Sequence, residues 1–155
     1  MRVDAVVNAT DSALSGDGGV DRAVQRAGGP AIRAACDTLR ATTLPDGLSV
    51  GAAVVTPAGN LPASWVVHTV GPRHSASEDR AGTLRATYTR SLAAAEAVGA
   101  RTIAFPLISG GAGGWPIDDA VREAVAALTD ADSAMEVTLV AADPGTAALM
   151  RRELA

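Results

Sequence analysis

Two glycine-rich segments lie in equivalent places along the chain, each between a short apolar run and a stretch with helical periodicity. The first, residues 15–19, follows the β-branched run 3–8, and the second, residues 109–114, follows an almost wholly apolar run from 102 to 107 or 108. Short apolar runs bounded by glycine are typical of buried strands. The pattern favours an α/β fold in which helices cover both faces of a mainly parallel sheet.

The rest of the chain continues this alternation, and its 155 residues are predicted to form one domain, residues 1–155. Val20, Ala23, Val24 and Ala27 recur at the spacing of one helix face, which predicts an amphipathic helix with this as its inner face. Pro116 suits the first position of a later helix. We place further strands at 52–56, 64–70 and 136–142, and further helices over 31–40, 84–95, 116–128 and 146–154.

Composition excludes several classes of function. The absence of lysine excludes a P-loop, and a net charge of −4 argues against a nucleic-acid-binding face. The single cysteine, Cys36, excludes an intrachain disulfide and a cysteine-rich zinc site, and no metal or cofactor is predicted. No apolar run reaches the roughly 20 residues of a membrane span, and no signal peptide is recognisable. We therefore predict a cytoplasmic protein without nucleic-acid or membrane partners; its oligomeric state stays open, with a monomer expected.

Both glycine-rich segments lead from the carboxyl end of a predicted strand into the start of a helix. Free backbone N–H groups and the helix dipole favour an anion at such a place, and glycine lets the backbone approach a phosphate closely. Two such segments at one edge of an open sheet predict a diphosphate site in the crevice between them. For either segment taken alone, an ordinary flexible turn remains the alternative.

Several motifs, in order along the chain, resemble the macrodomain family. They are Val-Asp-Ala-Val-Val-Asn-Ala at 3–9, Gly-Gly-Val-Asp at 18–21, Arg-Ala-Gly-Gly-Pro at 26–30, Asn-Leu-Pro-Ala at 60–63, His-Thr-Val-Gly-Pro at 68–72 and Ala-Phe-Pro-Leu-Ile-Ser at 104–109. The resemblance implies a three-layer α/β/α macrodomain whose central sheet is mixed and mostly parallel. It also implies that the family's usual first strand, with its adenine-binding Gly-Asp-Ile motif, is missing. Either Met1 is not the natural start, or other groups hold adenine, or adenine is recognised only loosely.

The resemblance further implies a ligand and an activity. Macrodomains bind ADP-ribose, and the branch that this chain resembles hydrolyses mono-ADP-ribose from acidic side chains or deacetylates O-acetyl-ADP-ribose. The expected partner is therefore ADP-ribose or a mono-ADP-ribosylated protein. A non-catalytic reader of ADP-ribose or a related nucleotide remains the alternative from a different class.

Asp21 and Asp11 are the candidate catalytic residues. Asp21 matches the acidic residue that hydrolytic members use, and a carboxylate beside a diphosphate could orient or deprotonate a water aimed at the anomeric carbon. An Asp that only stabilises the start of a helix is the alternative. Asp11 stands where the family usually has an Asn against the distal ribose, so it keeps acceptors but loses the amide donor.

The remaining candidate residues are implied by the resemblance to touch the ligand. Backbone N–H groups of the first glycine segment are assigned to one phosphate and those of the second to the other, while Trp115 either packs on the distal ribose or belongs to the core. The set comprises Asn8, Thr10, Gly18, Gly19, Val20, Ser109, Gly110, Gly111, Ala112, Gly113 and Trp115.

Two residues depart from the pattern of the related hydrolases, and two others that could be reactive are interpreted as structural. Gln25 stands where related hydrolases often have His, and Gly113 replaces an aromatic residue that usually packs on the ribose. His68 lies in an apolar strand and is interpreted as a structural histidine, with a ligand or a base as the alternative. Cys36 is interpreted as a small core residue.

Overall fold

A computed structural model of the chain describes residues 2–155, which contain one five-stranded sheet and five helices. The strands lie in the order β2-β3-β1-β4-β5 across the sheet. In chain order the elements are β1 (Ala5–Ala9), α1 (Gly19–Gly28), α2 (Pro30–Ala41), β2 (Ala53–Pro57), β3 (Trp65–Thr69), α3 (Ala81–Ala97), β4 (Thr102–Phe105), α4 (Ile117–Asp130), β5 (Glu136–Leu139) and α5 (Pro144–Leu154).

The central strand β1 pairs in parallel with both of its neighbours, but unequally. Its ladder with β3 extends from Ala5 to Ala9, whereas its ladder with β4 consists of Ala5 opposite Ile103 and Val6 opposite Ala104. β4 and β5 are also parallel, and only β2 is antiparallel, at the edge next to β3. The mixed, mostly parallel sheet is therefore confirmed. The carboxyl ends of β1 and β4 are adjacent but unpaired beyond Val6 and Ala104, so their loops begin side by side.

Helices cover both faces of this sheet, which confirms the three-layer prediction. Side chains alternate between the two faces along β3, so Val66 packs with Ile32 of α2 while Val67 packs with Leu84 of α3. α4 lies on the same face of the sheet as α3, and α5 packs against α4 through Met150 and other apolar residues. Within residues 2–155 no strand precedes β1, as predicted, and no helix has the length and apolarity to cross a membrane.

The predicted inner face of α1 is only partly right. Val24 packs against the core beside Ile32, but Val20 is 41% exposed and Ala23 and Ala27 also face the solvent. Asp21 and Gly28 are buried instead. The sheet beneath the start of α1 ends in polar side chains, and hydrogen bonds between them and Asp21 orient the helix. Apolar periodicity does not register such bonds, so it predicted a face that is rotated away from the buried side of α1.

Some predicted boundaries also move. β4 ends at Phe105 and β5 at Leu139, so both are shorter than the apolar runs that predicted them. Pro116 is not the first helical residue, because its ψ of 133° is extended and α4 begins at Ile117. Its carbonyl accepts the first helical hydrogen bond, from the amide of Ala120 at 2.9 Å, so Pro116 is the N-cap.

Candidate functional site

The two glycine-rich segments form neighbouring loops at the carboxyl edge of the sheet. Loop one, residues 10–18, connects β1 to α1, and loop two, residues 106–116, connects β4 to α4. Because β1 and β4 are adjacent and parallel, both loops leave the same edge of the sheet. Their helices pack on opposite faces of the sheet, and the space between two such loops is the usual place for a ligand in an open α/β sheet.

Loop one presents backbone donors at the start of α1. Among residues 2–155, the amides of Gly18, Gly19 and Val20 have no hydrogen-bond acceptor, and no side chain caps the helix. All three residues are exposed. Such amides, at the positive end of a helix dipole, have the arrangement that the predicted phosphate contact requires.

Loop two presents a second set of backbone donors. The amides of Ser109, Gly111, Ala112 and Gly113 have no acceptor within the part of the chain that the structure describes. The amide of Gly110 donates only a long bond of 3.4 Å, to the carbonyl of Leu107. The structure thus brings the predicted donors of both loops to one edge of the sheet, and their contact with phosphate stays a prediction.

Each loop contains one non-glycine residue in the left-handed backbone region. Leu14 has φ 55° in loop one and Ser109 has φ 64° in loop two. Such a conformation costs of order 1 kcal/mol or more, so it persists only where neighbouring contacts enforce it. The fully buried side chain of Leu14 anchors loop one, and Ser109 donates from its hydroxyl to the carbonyl of Pro72 at 2.8 Å. Both loops are therefore held in defined shapes.

Asp21 lies beneath loop one with both carboxylate oxygens fully engaged. Oδ1 accepts from Asn8 Nδ2 at 2.8 Å and from Gln25 Nε2 at 3.1 Å. Oδ2 accepts from Thr10 Oγ1 at 2.6 Å and from the amide of Gly16 at 2.9 Å. Asp21 is 1% exposed, so it joins β1, loop one and α1 from the inside.

A buried polar chain extends from Asp21 along the sheet. Asn8 donates its second amide hydrogen to His68 Nδ1 at 3.1 Å, and His68 Nε2 lies 2.9 Å from Thr56 Oγ1. Thr56 uses its hydroxyl hydrogen on the carbonyl of Pro57, so His68 is the donor to Thr56 and is neutral, with its proton on Nε2. Burial lowers the pKa of His68 to about 4. The structure thus supports the structural interpretation of this histidine.

Cys36 is also buried in this region. Its sulfur lies 3.9 Å from His68 Nε2, and burial raises the pKa of the thiol to about 11. A thiol that stays protonated at neutral pH is a poor nucleophile, which agrees with the interpretation as a small core residue.

Gln25 and Arg33 form a second layer around Asp21. Arg33 Nη1 donates to Gln25 Oε1 at 3.2 Å and to the carbonyl oxygen of Leu14 at 2.7 Å. The amide oxygen of Gln25 therefore faces α2, and its NH2 group faces Asp21. Arg33 is also paired with Asp37 at 2.9 Å, which holds its guanidinium in place.

Asp11 is the exposed carboxylate of loop one. Its oxygens accept from the amide of Ser15 at 3.0 Å and from the Ser15 hydroxyl. Desolvation raises the pKa of Asp11, but these hydrogen bonds outweigh it, so the pKa lies below its ordinary value. Asp11 is therefore a negative charge at neutral pH, at the position where the resemblance implies a ribose contact.

Loop two is anchored mainly by an aromatic residue. Trp115 is 8% exposed, donates from Nε1 to the carbonyl of Pro72 at 3.0 Å and packs edge-on against His74. This geometry favours the core interpretation of Trp115 over a platform for the ribose. Gly113 cannot carry a side chain without movement, because a Cβ there would lie 2.8 Å from the backbone of Ser109. The loop therefore excludes an aromatic residue at this position.

The sequence located both loops but not the groups that hold them. Asn8, Thr10 and Asp21 were candidates as ligand or catalytic residues, and the structure shows them bonded to one another beneath loop one. Arg33 was missed, since it belongs to the next helix and contacts Gln25 only through the packing of α2 on α1. The spacing of the motifs carried no signal for that contact.

Comparisons with known proteins identify relatives over nearly the whole chain. The family model Macro domain matches residues 7–124. Macro domain-containing protein SCO6450 of Streptomyces coelicolor is 54% identical over 141 residues, 90% of this chain and 83% of that protein. O-acetyl-ADP-ribose deacetylase of Klebsiella pneumoniae is 44% identical over 160 residues, all of this chain and 90% of that protein. The structure of the Oceanobacillus iheyensis macrodomain with ADP matches with a TM-score of 0.93 and 29% identity, over 98% of this chain and 83% of that one.

Proposed function

The chain belongs to the macro domain family, and on that premise we propose that it binds ADP-ribose and hydrolyses mono-ADP-ribose from acidic side chains of proteins. The observation that carries the proposal is the pair of neighbouring loops whose backbone amides lack acceptors within residues 2–155. A diphosphate offers acceptors on both of its phosphates, so it can bridge two such loops. The ADP in the Oceanobacillus iheyensis macrodomain and the names of the deacetylase relatives support this choice of ligand.

Backbone donors explain how an acidic chain without lysine holds a diphosphate. Gly18, Gly19 and Val20 would take one phosphate, and the amides of loop two would take the other. The dipoles of α1 and α4 add positive potential at their first turns. Because the donors belong to the backbone, the departures of loop two from the family's usual side chains leave this contact intact.

Hydrolysis needs a water molecule beside the distal ribose. The water oxygen would bond to the anomeric carbon, the bond from that carbon to the protein carboxylate would break, and the carboxylate would leave with the electron pair. The proton of the water would pass to Asp21, assisted by the substrate's diphosphate, and the transition state would have oxocarbenium character. Asp11, an exposed carboxylate near the start of loop one, would accept hydrogen bonds from the ribose hydroxyls.

Two other functions use the same crevice. Deacetylation of O-acetyl-ADP-ribose would direct the water to the acetyl carbonyl, and three of the relatives carry this name. A reader that binds without turnover is favoured by the four hydrogen bonds on Asp21, since they leave its oxygens no free acceptor position.

Calorimetry with ADP-ribose, followed by incubation with a glutamate-ADP-ribosylated peptide and with O-acetyl-ADP-ribose, separates these functions. Release of ADP-ribose from the peptide supports the hydrolase, turnover of the acetyl ester alone supports the deacetylase, and binding without turnover supports the reader. Absence of binding would contradict all three.

The amide contact has its own test, Gly19→Pro against Gly19→Ala. Gly19 is the first residue of α1, where proline is tolerated, and Gly18 has φ −73° and ψ 166°, which suits a residue before proline. Proline removes one N–H, whereas alanine keeps it and adds a Cβ into open space. We expect Gly19→Pro to raise the Kd for ADP-ribose about tenfold, the effect of one hydrogen bond to a charged group. An equal Kd in both variants would exclude this amide as a donor to the ligand.

A further inference from the structure

Asp21 has no free acceptor position in this structure. A carboxylate offers about four lone-pair sites, and four donors occupy them: Asn8, Gln25, Thr10 and the amide of Gly16. A water that donates a proton to Asp21 must therefore displace one of the four. The proposed hydrolysis therefore depends on which of the four donors gives up its hydrogen bond to Asp21 most readily.

Three of the four donors are poorly placed to yield. Asn8 is fully buried and also donates to His68, so its amide cannot turn without breaking a second bond. Thr10 makes the shortest bond, at 2.6 Å, and the amide of Gly16 belongs to the backbone of loop one. Gln25 makes the longest bond, at 3.1 Å, from the end of a long, half-buried side chain.

We propose that Gln25 is a positioning residue that restrains Asp21, by occupying with its amide the acceptor position that the attacking water needs. This inference rests on the proposed hydrolysis. In the restrained arrangement, Asp21 Oδ1 accepts from Asn8 and Gln25. When the Gln25 amide withdraws, a water can donate to Oδ1, bond through its oxygen to the anomeric carbon and leave its proton on Asp21.

Arg33 strengthens this restraint. Its Nη1 lies 3.2 Å from Gln25 Oε1, so rotation of the Gln25 amide away from Asp21 breaks the bond to Arg33 as well. The guanidinium is itself held by Asp37, through Nη2, and by the carbonyl of Leu14, through Nη1. The chain thus binds its ligand on the surface of loop one while the carboxylate beneath that loop stays occupied, and we expect slow turnover.

The test compares Gln25→Met with the wild type and with Arg26→Met. Methionine keeps the length of the side chain but cannot donate to Asp21, whereas Arg26 is an exposed neighbour on α1 without a role in the site. We expect Gln25→Met to raise kcat for release of ADP-ribose from a glutamate-ADP-ribosylated peptide about tenfold, with little change in the Kd for ADP-ribose. Arg26→Met should leave both unchanged. Loss of a merely structural bond would not accelerate the reaction.

A second comparison tests whether Arg33 acts through Gln25. In the wild-type background Arg33→Met should raise kcat, and in the Gln25→Met background it should change kcat no further. An unchanged or lower kcat in a folded Gln25→Met protein that binds ADP-ribose would overturn the inference and leave the binding proposal standing. Absence of ADP-ribose binding by the wild type would overturn the proposed function and this inference with it.

Discussion

The two loops at the carboxyl edge of the sheet offer similar backbone donors but are held by different means. Loop one is tied from beneath by a buried carboxylate and a chain of polar side chains, whereas loop two is tied by Trp115, Ser109 and the carbonyl of Pro72. Tyr88 also helps to hold loop two, because its hydroxyl oxygen accepts a hydrogen bond from the amide of Ile108 at 3.0 Å. Similar backbone arrangements can therefore depend on buried hydrogen bonds in one loop and mainly on packing in the other.

The largest effect is expected at the anchor of loop two. Trp115→Ala removes a buried indole and its bond to Pro72, which should lower the free energy of unfolding by about 4 kcal/mol. Trp115→Phe should cost less, about 2 kcal/mol, since the smaller ring keeps most of the packing while the N–H donor and part of the indole are lost. Urea unfolding measures both. Equal losses in the two variants would show that the hydrogen bond, and not the packing, holds this loop.

Acid should destabilise the folded protein through the buried polar chain beneath loop one. Burial lowers the pKa of His68 to about 4 in the folded state, from an ordinary value of 6.5, so the unfolded chain binds this proton more readily. The contribution of neutral His68 to the free energy of unfolding is fully present above pH 6.5. It falls by about 3 kcal/mol as the pH approaches 4, because the unfolded chain takes up the proton first. Unfolding followed from pH 7 to 4 should show this slope in the wild type and in His74→Gln. A slope of the same size in His68→Gln would refute the assignment to His68.

A smaller loss is expected when the anchor of loop one is removed. Asp21→Ala leaves the buried amide of Asn8 with one unpaired hydrogen and should destabilise the fold by about 2 kcal/mol. Release of ADP-ribose should cease, because the proposed proton acceptor is gone. Asp130→Ala, at an exposed position at the far end of α4, serves as the comparison in unfolding and activity measurements. Normal turnover by a folded Asp21→Ala protein would exclude Asp21 from the chemistry.

The sequence allowed the fold and the position of the site to be predicted because both depend on local signals. Glycine after an apolar run indicated each loop, and the order of the motifs indicated the macro domain architecture. The orientation of α1 was not predictable from periodicity, since hydrogen bonds of Asp21 decide it and Val20 is left in water. The contact between Arg33 and Gln25 depends on how α2 packs, which no spacing along the chain encodes.

The short ladder between β1 and β4 has a consequence for the sheet as a whole. Only Ala5 and Val6 of β1 are paired with β4, so the strands β2, β3 and β1 are joined to β4 and β5 by few backbone bonds. A ligand bound by both loops would connect the strands β2, β3 and β1 to the strands β4 and β5. Above Kd, it would raise the free energy of unfolding with the logarithm of its concentration. Amide hydrogens on both sides of the β1–β4 junction would then exchange more slowly.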